Sequence, residues 1–300
     1  MSDVVDERLS PDEAFELVAH ELRFRILREL NEADEPLAFT GLQSRVGVED
    51  PGQFNYHLGK LVGRFVRDGD EGYRLTGAGR RLVGAVFSGG YTSVLDAEPV
   101  EMDVPCLNCG APMSARFRDD GITIDCDDCD MIFSNPEIPP GVLEAHSRDE
   151  APAVVDRWTK AYLHVQTYGF CPYCDGPIET AVVRPGDDLA ADWFDGERFD
   201  VRVVHRCRRC HHRVDSLVPF AVLAHPAVVG FHHERGVDLR KTPVWELDWF
   251  RSGVATLAND DPLRFEVPVS IGGVTCTFTF DADLDVVDER RVDAGERENS

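Results

Sequence analysis

The sequence predicts an α+β multidomain protein. Three helix-start signals fall within the first fifty-odd residues and are followed by a short hairpin pattern, and eight of nine cysteines form four C-x2-C pairs between 106 and 210. The last hundred residues carry an apolar helical stretch and then alternating strand patterns. A chain of 300 residues is long enough for two or three domains, so no single core has to serve all of it. The expected segments are a helical domain with a hairpin over 1–91, a linker over 92–105, a first zinc-ribbon module of four cysteines over 106–135 and a connecting helical segment over 136–170. A second, zinc-ribbon-like module of four cysteines over 171–215, a helix-plus-antiparallel-strand region over 216–290 and an acidic tail over 291–300 complete the chain.

Ser10-Pro11-Asp12-Glu13 is a capping box with proline at the first helical position, Thr40 to Gln43 reads as a second box, and Asp50-Pro51-Gly52-Gln53 as a third. Gly47-Val48-Glu49 makes the short turn of a helix-turn-helix after a helix of about seven residues. The following helix, 51–65, carries Phe54, Leu58, Leu61 and Phe65 on one stripe, which makes that face core. Its opposite face holds Gln53, Tyr56, His57, Lys60 and Arg64, with Asn55 beside them. FVRDGDEGYRLT then reads as two strands around Gly69 to Gly72, and Thr76 caps a last helix over 77–91. This order of elements predicts a winged helix-turn-helix.

Residues 12–91 resemble the ArsR-type winged-helix transcriptional regulators, particularly those of salt-loving archaea. The strings HELRFRILREL (20–30), FNYHLGKLVGRFV (54–66) and DEGYRLTGAGRRL (70–82) carry the resemblance. It implies double-stranded DNA as partner and a homodimer formed through 11–20 and 77–91, which would favour a palindromic operator. Metal-sensing members carry a cysteine pair on the helix before the recognition helix. Here that helix reads AFTGLQSRV and no cysteine precedes Cys106, so the family's metal switch does not carry over.

Cys106, Cys109, Cys126 and Cys129 form two C-x2-C knuckles with sixteen residues between them, within the zinc-ribbon range, with ARFRDDGITID as the closing hairpin and Asp120-Gly121 at its turn. Cys171, Cys174, Cys207 and Cys210 repeat the knuckles with thirty-two residues between them, which requires an enlarged hairpin or an insertion. Two structural Zn²⁺ ions are expected. For the second set the alternatives are redox thiol pairs, or His205 or His211 replacing one thiolate. A closed four-thiolate site has no open position for activating water; a sensing role through oxidation or metal loss stands beside the structural one. Cys276 alternates with Thr275 and Thr277 on a strand and reads as a buried structural thiol. His225, His232 and His233 read as core or surface histidines, against a third metal site. The helix DEAPAVVDRWTKAYLHV puts Val154, Trp158, Ala161 and Val165 on one stripe, and the last twenty residues read as a frayed tail.

Lys+Arg total 31 against Asp+Glu 55, a net charge of −24, with only three lysines. Such a balance excludes a basic protein that coats nucleic acid by charge alone and is what a protein shows when it stays hydrated in concentrated salt, the alternative being an ordinary acidic cytosolic protein. Residues 51–67 are the local exception: Lys60, Arg64 and Arg67 with no acid. The expected DNA contacts are Gln53, Asn55, Tyr56, His57, Lys60 and Arg64, with packing or a backbone contact as the alternative that the resemblance offers for His57, and with Arg67 and Arg74 on the hairpin strands, because Asp68, Asp70 and Glu71 at its tip repel phosphates. Arg80 and Arg81 start the next helix, where they either reach backbone or form a solvated helix end. Since about five phosphate contacts lose 4–5 decades of affinity per tenfold rise in salt, base contacts and dimer geometry must carry specificity there.

The function expected is a sequence-specific transcriptional regulator. The alternative is a general transcription factor that contacts RNA polymerase and promoter DNA without reading sequence, and a third reading gives the C-terminal region a ligand or a redox or metal signal. Residues 215–290 show no paired carboxylates, nucleophile elbow, phosphate loop or open metal triad, so no enzyme is expected. The longest apolar stretch, Leu217 to Phe231, is broken by His225 and Pro226 and is too short for a membrane span. The N-terminus lacks a signal-peptide pattern, so a cytoplasmic location follows.

Overall fold

A computed structural model describes residues 9–129, 131–191, 199–252 and 255–293, without the side chains of 251 and 252. The chain forms two compact units, Met1–Val94 with Pro139–Gly141, and Leu95–Ile138 with Val142–Ser300.

The first unit runs α1 (Pro11–Glu16), α2 (Glu21–Asn31), α3 (Phe39–Val46), α4 (Pro51–Leu61), β1 (Val66–Gly69), β2 (Gly72–Leu75) and α5 (Gly77–Phe87). Ser10 and Glu13 make the reciprocal capping box the sequence calls for. The box expected at Thr40 to Gln43 is absent because the cap of α3 falls two residues earlier, on Ala38, which has no capping side chain. Gly47 closes α3 in the left-handed region (φ 71), and Asp50 caps α4 through the Gly52 N–H at 2.8 Å. The helix expected to reach Phe65 ends at Leu61, where Val62 turns extended, so Arg64 lies in the connection to β1. Helix α5 stops at Phe87, short of the expected Tyr91.

Ile26, Leu27, Leu42, Phe54, Leu58, Leu61 and Val83 fill one core. Two glycines permit its close packing. A Cβ on Gly79 would collide with the Phe65 carbonyl oxygen, and one on Gly72 (φ 121) would lie 2.6 Å from that of Leu37. The second approach lets Leu37 pair with Tyr73, adding a bridge to the β1–β2 hairpin that sequence periodicity did not reveal.

The second unit contains three antiparallel sheets among its described residues. Strands β3 (Val100–Pro105), β4 (Pro112–Arg118), β5 (Gly121–Cys126) and β6 (Ile132–Ser134) pair in that order, followed by β7 (Ile178–Val183), β8 (Arg202–Cys207) and β9 (Arg213–Leu217). A four-strand meander, β10 (Thr256–Asp260), β11 (Leu263–Ile271), β12 (Val274–Asp281) and β13 (Val286–Asp293), makes the third. Helices α6 (Ala151–Thr167), α7 (Val218–Val222), α8 (Pro226–Glu234) and α9 (Asp248–Ser252) complete the unit.

Several expectations need correcting. Part of the expected linker is strand β3, because Met102 sits opposite Met113 in register. The β4–β5 register pairs Arg118 with Gly121, so the turn is Asp119-Asp120 rather than Asp120-Gly121. The β11–β12 turn is Gly272-Gly273, both at positive φ (58 and 81), one residue beyond the expected Ile271-Gly272. The acidic end is not wholly frayed: β13 pairs with β12 through Asp293, while the rest of the tail, 294–300, lies outside the described residues. Proline divides the apolar stretch after 217 into α7 and α8. No helix among the described residues is long and apolar enough to cross a membrane.

Helix α6 differs most from its expected orientation. Of the stripe Val154, Trp158, Ala161 and Val165, only Val154 is buried, and Ala161 and Val165 are exposed. The buried face instead includes Val155, Asp156, Thr159, Leu163 and Gln166. Asp156 explains part of this choice. Its carboxylate accepts from Lys160 Nζ at 2.6 Å and from the Val244 N–H at 3.1 Å, while Nζ also donates to the carbonyls of Leu239 (3.0 Å) and Thr242 (2.7 Å). These bonds let a polar helix face be buried.

Candidate metal centres and nucleic-acid interface

Each four-cysteine set is built from two knuckles at the ends of antiparallel strands. In the first, the Cys106 N–H donates to the Ala111 carbonyl (2.8 Å) and the Gly110 N–H to the Cys106 carbonyl (3.0 Å). The residue after the second cysteine of a knuckle turns the chain: Gly110 (φ 79), Asp175 (φ 52) and His211 (φ 62) all occupy the left-handed region. Strands β7 and β8 pair Ile178 with Cys207 and Val183 with Arg202, so the thirty-two-residue spacing is absorbed by an enlarged hairpin loop between Val183 and Arg202.

Sulfur atoms within each quartet lie within 4.8 Å of one another. Cys106 and Cys129 are 3.7 Å apart, Cys109 and Cys126 3.4 Å, Cys171 and Cys210 3.6 Å, and Cys174 and Cys207 3.5 Å. A disulfide would bring sulfurs to about 2.05 Å. A tetrahedral ion with metal–sulfur bonds of about 2.3 Å gives edges of about 3.8 Å, close to the observed separations. The two clusters could each hold a metal ion.

Backbone donors favour the charged form at one thiol of each quartet, Cys106 and Cys207, whereas Cys109, despite the Ala111 N–H, is raised to about 12 by the neighbouring Cys126 thiol, and burial raises Cys171 and Cys174. The Asn108 N–H lies 3.3 Å from Cys106 Sγ, the Asp128 N–H 3.4 Å from Cys126 Sγ, and the Arg209 N–H 3.3 Å from Cys207 Sγ. The Cys210 N–H, joined by that of Arg209, outweighs burial and holds the Cys207 thiol at about 6. Burial raises the Cys106 thiol, but the N–H groups of Cys109 and Asn108 and neighbouring thiols outweigh it and bring it to about 7. Thiolate is the form that ligates metal.

Neither histidine offered as a replacement ligand belongs to a quartet. His205 is buried in β8 with Nδ1 2.8 Å from Thr180 Oγ1, and His211 is used in the knuckle turn. Cys276 is fully buried on β12, and burial raises its thiol, in keeping with a structural role. His232 is likewise core: Nδ1 lies 2.7 Å from the Val228 carbonyl, and Nε2 accepts from Trp249 Nε1 at 2.9 Å. Gly176 is a determinant that cysteine spacing did not signal. A Cβ there would lie 3.0 Å from Cys174 Sγ and 3.1 Å from Cys207 Sγ.

In the first unit, α4 buries Phe54, Leu58 and Leu61 and leaves Gln53, Asn55, Tyr56 and Lys60 exposed. Lys60 Nζ sits 5.6 Å from the centre of the Tyr56 ring. Arg64, Arg67 and Arg74 are also exposed, and Arg67 faces Arg74 directly across the β1–β2 pair. His57 does not join this set. It is only 7% exposed, its ring centre lies 4.1 Å from that of His20, and burial, followed by His20 and Arg23, pushes its pKa down. Helical position alone could not reveal that inward packing. Arg80 is tied to the Leu75 carbonyl at 3.0 Å.

The sequence profile of a family described as a domain of unknown function (DUF7351) matches residues 103–286, more than half the chain. The chain belongs to the DUF7351 family. The DUF7351 match includes both cysteine quartets, Gly176 and strands β4 to β12. A second profile, also described as a domain of unknown function (DUF7347), matches residues 11–86 and takes in α4 and the β1–β2 hairpin. No curated protein and no solved structure matches the chain.

Proposed function

We propose that the protein is a sequence-specific DNA-binding transcriptional regulator whose first unit is a winged helix-turn-helix of the ArsR type, with α4 as the recognition helix. The observation that carries this reading is the exposed strip of Gln53, Asn55, Tyr56, Lys60, Arg64 and Arg67, without an acid between 51 and 67 in a chain of net charge −24. Gln and Asn suit base edges, while Tyr, Lys and Arg suit phosphates. The hairpin adds an independent support. Arg67 and Arg74 stand opposite each other without an ion-pair partner among the described residues, an arrangement that costs stability unless an anion joins them. Phosphate supplies that anion.

Zinc is the ion assigned to both quartets. Four thiolates in a closed tetrahedron suit Zn²⁺ and leave no coordination position for substrate, which supports a structural role. A homodimer is assigned to α1 and α5, where Phe15 is 69% exposed and Phe87 46% exposed. A two-fold dimer presents two copies of α4 to successive major-groove faces.

The test is binding of the full chain to DNA from upstream of its own gene, with alanine at Tyr56, Lys60 and Arg64 together. All three are exposed, so the fold should persist by circular dichroism while specific binding is lost. Unchanged binding would overturn the assignment of α4.

A further inference from the structure

We infer that the β7–β8–β9 sheet of the DUF7351 unit carries a nucleic-acid site of its own, an open platform for single-stranded nucleic acid at the end that bears the second cysteine quartet. Strand register defines the surface. Residues directly opposite each other in a sheet project to one face, and so do alternate residues along a strand. Glu179 stands opposite Arg206, and Arg206 opposite Arg213, so these three share a face. Pro177 and Arg208 lie two positions further along on that same face, and the Arg208 N–H donates to the Pro177 carbonyl at 3.0 Å. Phe170 bridges to Pro177 from the other side and adds an aromatic ring to the row.

The two ends of this face differ. Toward the β7–β8 loop, Val183 and Val204 are buried against Leu189, Ala190 and Phe199. Toward the knuckles the face is open: Phe170 is 56% exposed, and Arg206, Arg208 and Arg213 are exposed. The reverse face packs Val182 and Val203 into the main core, which holds the platform in place.

Charge sets the sign of the occupant. Residues 201–214 contain five arginines and no acid, in a chain of net charge −24. Arg202 is half-buried at the loop end and stays outside the open area. Glu179 pairs with Arg208, and Asp215 with Arg213 at 2.8 Å. Arg206 has no ion-pair or hydrogen-bond partner among the described residues, and the Arg209 guanidinium, at the tip of the knuckle, donates to the neutral Cys174 carbonyl at 3.0 Å. Two cations are thus left without a counter-charge. The exposed ring beside them selects among anions: an unpaired base stacks on it while arginines hold the phosphates, whereas a duplex keeps its base faces stacked on one another. Tyr168, 68% exposed, offers a second ring two residues from Phe170.

The experiment follows the fluorescence anisotropy of labelled single-stranded oligo-dT and oligo-U with the full-length, metal-loaded protein over a series of potassium chloride concentrations. Single strands should bind, the tighter of the two naming DNA or RNA as the source, and unlabelled strand should displace the label far better than mixed-sequence duplex or poly-glutamate. Phe170→Leu, which keeps the side chain apolar, should weaken binding by about 5–150-fold, the value of one base stacked on a ring. Arg206→Gln should lower the slope of log affinity against log salt by about 0.7, the value of one phosphate contact. Tyr91→Leu removes an 80% exposed ring of the first unit and should change neither. Metal content and circular dichroism monitor each variant, and the two platform substitutions lie on different segments, so that one misfolding leaves the other readable. Displacement by duplex or poly-glutamate as efficient as by single strand, or wild-type affinity and salt slope in folded Phe170→Leu and Arg206→Gln, would overturn the platform. Loss of single-strand binding on replacing Tyr56, Lys60 and Arg64 by alanine would move the site to α4 and overturn it equally, whatever that variant does to duplex.

Discussion

Replacing Gly176 by alanine should weaken metal binding at the second cysteine quartet and leave the first intact. Gly176 is not in the left-handed region, so the substitution adds no backbone penalty, and the effect comes from the methyl group alone. That methyl would lie 2.8 Å from Arg209 Cβ, 3.0 Å from Cys174 Sγ and 3.1 Å from Cys207 Sγ. Carbon contacts prefer about 3.5–4.0 Å, so the sulfurs must retreat by roughly half an ångström or more. Their present separation is 3.5 Å, near a tetrahedral edge, and widening it stretches both metal bonds. Overpacking of this kind costs about 1–3 kcal/mol, which corresponds to a metal-affinity loss of about 5–150-fold. Competition with a chromogenic chelator should show two zinc ions per wild-type chain, and in the variant one tight and one weakened site. Gly230→Ala, on α8 with no atom near the added methyl, serves as the neutral control. Two sites of unchanged affinity in Gly176→Ala, or weakening of the first cluster alone, would refute the reasoning.

Lys160→Met should destabilise the second unit by about 3–5 kcal/mol, since it leaves the Asp156 carboxylate buried without its cation and two carbonyls without a donor; a loss below about 1 kcal/mol in chemical denaturation would contradict this. Burial lowers the pKa of His232, so below about 6.5 the unfolded chain takes up a proton that the fold refuses, and stability present above that pH declines as pH falls. The thermal midpoint should therefore drop on acidification, and drop less in His232→Gln at equal metal content; identical pH profiles would contradict the assignment. Glutamate at both Phe15 and Phe87 should convert a dimer to a monomer in gel filtration, and a monomeric wild type would remove the proposed interface.

What the sequence revealed depended on how local the physics was. Capping at Ser10, the left-handed stop at Gly47 and both cysteine quartets follow from a few neighbouring residues, and all were legible. The buried face of α6 was not. Apolar periodicity pointed to Trp158, Ala161 and Val165, whereas burial of Asp156 rests on Lys160 and on the backbone of 239–244, nearly ninety positions away. His57 shows the same limit: it lies beside contact-competent side chains on α4, but His20 from the preceding chain draws it inward. Strands β10 and β13, rich in polar and acidic residues, gave no alternating apolar pattern and form because the β11–β12 pair leaves an open edge on each side for them. Gly176 was silent because its role is to leave space beside two sulfurs.

Selection from a random double-stranded DNA library by the full-length, metal-loaded protein, in concentrated potassium chloride, tests the central claim most directly. The account predicts enrichment of a palindromic motif with half-sites about one helical turn apart, and its loss when Tyr56, Lys60 and Arg64 are replaced by alanine. Recovery of sequences without a common motif, or the same motif from the triple variant, would contradict it.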